Sequence, residues 1–263
     1  MSEHNRLLGR QRSIIPLTVP TFIRATASLE DKALVPPDDI NWSDSIDLSS
    51  MLLNNIYGCC TVAGVSHLRA VIERWVEGVA RQPSDADIVP NYKLVNPQFD
   101  PTKPETDVGA TILGVMMNWY KTGFNYLGSI DKIMGFAAVD PTNVLDLRKA
   151  LWLGGPLIVG AQLPVAAQKA GRWVTPPDLN GVNAKSSWGD HCMVVVRWVA
   201  GSHVVFSTWG SLQEAEEGWF TNYIDEVYMP IHPLWISEAD TPAGMVSDSI
   251  IKQTQTFSQE MVN

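Results

Sequence analysis

The 263-residue chain is 45% hydrophobic and only 18% charged, enough apolar material to bury a sizeable core as one large domain or two lobes. Ten Trp and seventeen Pro point to a loop-rich globule and away from a coiled coil or a disordered chain. A net charge of −9 without any Lys/Arg cluster argues against a nucleic-acid surface.

The start, Met1-Ser2-Glu3-His4-Asn5-Arg6, lacks the apolar core of a secretory signal. No run of ~18 apolar residues occurs anywhere, so no membrane span is expected. Residues 1–45, punctuated by Pro16, Pro20, Pro36 and Pro37 and carrying a few apolar residues such as Ile14, Ile15 and Phe22, read as an extended N-terminal arm or covering segment. The globular part is expected over 46–236, mainly helical to 155 and mainly β from 156, with a polar tail over 237–263.

The stretch Leu53-Asn54-Asn55-Ile56-Tyr57-Gly58-Cys59-Cys60-Thr61-Val62-Ala63-Gly64 ends a turn and begins a helix. Val62, Val65, Leu68, Val71, Ile72, Trp75, Val76 and Val79 recur every three or four residues, predicting an amphipathic helix with one buried face that stops before Pro83. Gln82–Lys103 reads as a loop. A second helix is predicted over Gly109–Tyr120, and a third from an N-cap at Thr142 to Leu153, before Gly154-Gly155. Pro156–Leu163 reads as a buried strand, Gly171–Gly189 as a long loop, and Cys192–Val199 with His203–Thr208 as a hairpin turning at Ala200-Gly201-Ser202. Glu214, Glu216 and Glu217 mark an acidic loop, and Trp219–Met229 is ambiguous between helix and strand. Helices first and strands second give an α+β class.

Cys60 falls at the first turn of the central helix, where unpaired N–H groups and the macrodipole favour a thiolate. Three cysteines, two of them adjacent, fit free thiols in a reducing compartment better than disulfides. Of the five histidines, His4 lies in the terminus, and His67 sits ~10 Å along the helix from Cys60 as a packing or surface residue. His203 and His232 read as structural. His191 opens the strongest strand, where a rigid element can present its ring.

In order, spacing and motif the chain resembles the papain-like cysteine peptidases over roughly residues 45–230. Asn54 stands where that family carries the glutamine of its oxyanion hole, and Gly58-Cys59-Cys60 matches its Gly-x-Cys turn. Gly189-Asp190-His191-Cys192-Met193-Val194 is similar to the segment bearing the catalytic histidine. Ser207-Thr208-Trp209-Gly210 is similar to the family's Asn-Ser-Trp-Gly. The two segments follow Cys60 by 131 and 147 residues, within the ~130–150 of papain-type enzymes. Asp107-Val108-Gly109 also fits the family's order, and Asn54-Asn55-x-x-Gly58-x-Cys60-Thr61-x-Ala63, Asn91-Tyr92, Thr208-Trp209-Gly210 and Tyr223-x-Asp225-Glu226-x-Tyr228 narrow the likeness to a branch carried by tailed bacteriophages and prophages.

The resemblance implies a papain-like fold: a helical lobe with the Cys-bearing helix, packed on an antiparallel sheet or barrel. It implies Cys60 as nucleophile, His191 as its proton partner, Asn54 in the oxyanion hole and Ser207 at the orienting third position, acting on a peptide or amide without cofactor or metal. Ser207 in place of asparagine weakens the expectation of activity. The competing expectation is a catalytically weak or inactive assembly protein of a phage virion, its termini held by other subunits. A peptidoglycan amidase or isopeptidase would use the same pair. A zinc site of Cys59, Cys60, Cys192 and His191 has suitable residue types, but neighbouring strand residues point to opposite faces. The expected location is the virion or the host cytoplasm, with no nucleic-acid or membrane partner.

Overall fold

The computed structural model describes residues 6–26, 35–169, 171–237 and 244–260; His4 lies outside them. In chain order the elements are β1 (Arg10–Gln11), α1 (Phe22–Thr26), β2 (Asp39–Asn41), α2 (Cys60–Glu77), α3 (Asp85–Val95), β3 (Ala110–Thr111) and α4 (Ile112–Lys121). Next come β4 (Phe124–Tyr126), β5 (Ser129–Asp131), β6 (Gly135–Ala138), α5 (Val144–Gly154), β7 (Leu157–Leu163), β8 (Gly189–Val199) and β9 (His203–Thr208). The chain closes with β10 (Ser211–Glu216), α6 (Glu217–Tyr223), β11 (Ile224–Ile231), α7 (Pro233–Ser237) and α8 (Gly244–Glu260).

A seven-stranded sheet runs β10-β9-β8-β7-β11-β6, with β2 added to β8, and its pairings are antiparallel. Alternation along β8 divides the core. Cys192, Val194 and Val196 join the cluster around α2, Met193 and Val195 join the cluster with α5 and α6, and Trp198 joins the latter beyond a register shift between Val195 and Arg197. The α+β class and the helix-on-sheet packing are as the sequence implies.

Helix α2 departs from its expected amphipathic form. Every residue from Cys60 to Glu73 is buried, because the sheet covers one side while α3 and α4 cover others. Only past Glu73 does it emerge. Trp75 and Val79, expected inside, are 44% and 50% exposed, and the Trp75 indole donates to the Trp42 carbonyl at 2.9 Å.

Several other elements differ from expectation. The 82–103 segment holds helix α3 despite Pro90, since Ser84 and Asp87 form a capping box and Ile88 and Tyr92 are buried. The α5 cap is Asn143, whose side chain accepts from the Asp146 amide, and not Thr142. The acidic segment around Glu214 is edge strand β10. The ambiguous stretch resolves into helix α6 followed by strand β11. The polar C-terminal segment contains α8, which buries Ile250 and Phe257 at 0% and 1% exposure and hydrogen-bonds β6 through Thr254 and Phe136. The N-terminal segment is likewise integrated: β2 joins the sheet, Val19 and Phe22 are buried, and Ile14 and Leu17 remain exposed.

If α8 is part of the folded unit, Phe257→Ala should cost about 3 kcal/mol, lowering the urea midpoint of the whole chain. An unchanged midpoint would show that the helix contributes nothing.

Candidate active site

Cys60 is the first residue of α2, and the turn that delivers it is unusual. Leu52 and Leu53 both have left-handed backbone, at φ 49° and 61°, a conformation that costs energy in residues with a Cβ. The Gly58 amide donates to Asp107 Oδ2 at 2.8 Å. Tyr92 donates to Asp107 Oδ1 at 2.7 Å and accepts from the Gly109 amide at 2.9 Å. Tyr92 and Asp107 therefore tie the cysteine turn on one wall of a cleft to Gly109 on the other. The sequence marked both residues by resemblance only; these positioning roles appear in the structure.

All four residues singled out for the site, Cys60, His191, Ser207 and Asn54, line one small cavity with Thr208 and Trp209. Their roles are less uniform than their placement. His191 Nε2 lies 2.8 Å from Thr208 Oγ1, while the buried Ser207 hydroxyl has no hydrogen-bond partner. The contact on the imidazole thus falls to Thr208, one residue beyond the expected Ser207. The ring stacks on Trp209 with centroids 4.0 Å apart and planes 9° from parallel. His191 Nδ1 is unpartnered, so no hydrogen bond joins it to Cys60. The Asn54 amide is engaged with the Tyr57 carbonyl at 3.1 Å. His67, read as remote from the cysteine, also lines this cavity.

Residues 7–12 thread the cleft. The Leu7 amide donates to the Asn54 carbonyl at 3.3 Å, and the Trp209 indole donates to the Leu7 carbonyl at 3.1 Å. The Ala110 amide donates to the Gly9 carbonyl at 2.9 Å, beginning the parallel β1–β3 pairing. A Cβ on Gly9 would collide with the Gly58 backbone, and one on Gly109, at φ +80°, with the Gly9 carbonyl. Cys60 and His191 are each 1% exposed. The residual cavity is about 10 Å³, at the lower limit for a single water.

Burial decides the charge state. It pushes the Cys60 thiol up to about 11, although backbone groups of Cys192 and Gly9, the Arg10 charge and the Thr61 backbone pull the other way. It drives the His191 imidazole down to about 3, with the charges of Arg6 and Arg10 adding to the effect. The helix-terminus argument for a thiolate is therefore outweighed by desolvation while the arm is seated. Among the described residues, no group of three or more His, Cys, Asp or Glu side chains is arranged to hold a metal ion. No helix among them is long and apolar enough to cross a membrane.

No family model matches the sequence, and neither does any curated protein. Solved structures do match the fold. Xylellain, a cysteine protease from Xylella fastidiosa, superposes with a TM-score of 0.61 at 13% identity, covering 87% of this chain and 97% of that one. Procathepsin B S9 from Trypanosoma congolense gives 0.58 at 12% identity, covering 88% of each. The Carica candamarcensis cysteine protease CMS1MS2 gives 0.52 at 14%, covering 74% of this chain and 99% of that one. The fold is papain-like. At these identities the likeness establishes architecture, and the chemistry rests on the site itself.

Two outcomes are expected of the site. If Thr208 orients the imidazole, Thr208→Val should lower any Cys60-dependent turnover roughly tenfold or more, and Ser207→Ala should change it little; the reverse order would return the orienting role to Ser207. The second concerns pH. His191 and His67, held by burial at about 3 and about 4, ordinarily titrate near 6.5. The unfolded chain binds more protons below about 6.5, so their contribution to stability is full above that value. It is lost as the pH falls toward 4 and then 3. The urea midpoint of the wild type should fall more steeply across that window than that of His191→Gln. Parallel profiles would contradict a buried neutral imidazole.

Proposed function

We propose that the chain is a papain-type cysteine hydrolase, a peptidase or amidase, held closed by its own residues 7–12. The observation that carries this reading is the cavity where Cys60, at a helix N-terminus, meets His191, whose Nε2 is bound to Thr208. If Nε2–H donates to Thr208, Nδ1 carries the lone pair that accepts the thiol proton. Once the arm leaves, the thiolate attacks the substrate carbonyl, and the oxyanion meets the Cys60 backbone N–H and the Asn54 amide. Collapse breaks the C–N bond as His191 returns its proton to the leaving amine. Water, deprotonated by the same ring, then cleaves the thioester and restores the thiol.

The finer placement, a bacteriophage or prophage protein, rests on the sequence motifs alone. A second reading, a virion scaffold without activity, draws on two observations. The cleft is filled by the chain itself, and Ile14 and Leu17 on the arm are 93% and 92% exposed, suited to contact with other subunits.

Gly9→Val in the full-length chain separates the two, because its side chain cannot fit against Gly58. Under the hydrolase reading, Cys60 alkylation at pH 7 should rise roughly a hundredfold or more as the thiol pKa drops toward or below ~8.5. Adding His191→Ala should remove most of the gain. If Cys60 in Gly9→Val reacts no faster than Cys59 or Cys192, the scaffold reading stands.

A further inference from the structure

The arm sends one side chain deep into the cleft wall. The Arg10 side chain is 1% exposed, with Nη2 2.7 Å from Glu226 Oε2 and Nη1 2.7 Å from Asp225 Oδ1. The pocket around it is shaped for a guanidinium. Gly160 in β7 leaves space that any Cβ would take from the Arg10 head group. Gln162 holds the second Asp225 oxygen at 2.7 Å. Asp225 and Glu226 are sequence neighbours, and in a regular strand they would face opposite ways. The register of β11 against β7 shifts between Ile224 and Glu226, and this irregularity brings both carboxylates onto one cation.

The pocket borders the candidate chemistry. Arg10 follows Gly9, whose backbone favours the Cys60 thiolate, and the Arg10 charge is felt at Cys60, His191 and Cys192. Glu226 has only 2% of its side chain exposed. A carboxylate so buried is costly unless a cation meets it, so whatever replaces the arm is selected for supplying one. Beside the Leu8 side chain, which packs against Gly189, the contacts of residues 7–10 described above are backbone bonds and glycine crossings, which carry little sequence preference; side-chain pockets supply selectivity in such strand-like binding.

We propose that Gly160, Asp225 and Glu226 form the specificity pocket of this cleft, selecting substrates that present an arginine side chain, with Arg10 as its resident occupant. The word substrate rests on the hydrolase reading; the pocket does not. Lysine is a poorer occupant, because two nitrogens of one guanidinium reach the two carboxylates, each at 2.7 Å, a spread that a single ammonium point does not have.

The test uses the full-length chain carrying Cys60→Ala, which removes thiol chemistry, and Gly9→Val, which evicts the arm. Two fluorescein-labelled hexapeptides, differing only in arginine against its neutral isostere citrulline, are compared by anisotropy. The arginine peptide should bind at least about tenfold tighter, and Glu226→Gln should erase the difference. Equal affinities, or no binding by either peptide, would overturn the pocket.

A second measurement covers the case in which that variant does not fold. In Arg10→Ala, added ethylguanidinium chloride should raise the thermal midpoint where ethylammonium chloride does not. The same response to both salts, or to neither, would also overturn it. Failure of the two readings is distinguishable: an inert Cys60 with arginine selectivity intact removes hydrolysis alone, and a reactive Cys60 with equal peptide affinities removes the pocket alone.

Discussion

Gly9 crosses the cleft with its backbone against Gly58 on one wall and Gly109 on the other, at separations that exclude a side chain at Gly9 or Gly109. The rest of the site depends on that crossing. It sets the β1–β3 pairing, brings the Gly9 backbone to bear on the Cys60 thiol and drops Arg10 into its pocket beneath Gly160. The walls are held at this spacing by Asp107 and Tyr92, which bridge the Gly58 and Gly109 amides. An approach this close gains backbone hydrogen bonds and dispersion contacts, and it shuts out water.

Excluding water reverses the electrostatics of the site. A cysteine on a helix N-terminus beside a histidine has the ingredients of a thiolate–imidazolium pair. With both groups buried, the thiol is pushed to about 11 and the imidazole to about 3, and the neutral pair is the favoured state. Neither nucleophile nor acid is lost; each is stored uncharged. Opening the cleft would return solvent to both groups and remove the desolvation that separates their titrations. Arm position and charge state are thus two views of one equilibrium, so anything that competes with Arg10 for Glu226 acts on the thiol as well.

Much of this was legible in the sequence. The Cys60 turn, the strand opening at His191 and the hairpin to Thr208 come from periodicity, glycine placement and motif spacing, and all fall where expected. The hydroxyl that contacts the imidazole is Thr208 and not Ser207, because motif alignment fixes a position in the chain and not which of two adjacent side chains reaches the ring. Helix α3 was hidden by Pro90 although its capping box was readable. Strand β10 was hidden by glutamates that suit an edge. The C-terminal helix shows little apolar character overall, and it is fixed to the sheet by a few buried residues such as Ile250, Thr254 and Phe257. Least legible was the arm. Nothing local in Leu7–Arg12 announces a cleft occupant, because its fit depends on two glycines and two carboxylates that lie about 50 to 220 residues away.

The central claim is that one motion of the arm controls access to the thiol. Its most direct measurement is amide exchange at Ala110, whose N–H is held by the Gly9 carbonyl, taken alongside Cys60 alkylation in the unmodified chain as urea is raised below the unfolding transition. The account predicts that the two rise together with one opening free energy, while amides in the middle of α2 stay protected. Alkylation of Cys60 while Ala110 remains protected, or exchange at Ala110 with the thiol still inert, would contradict it.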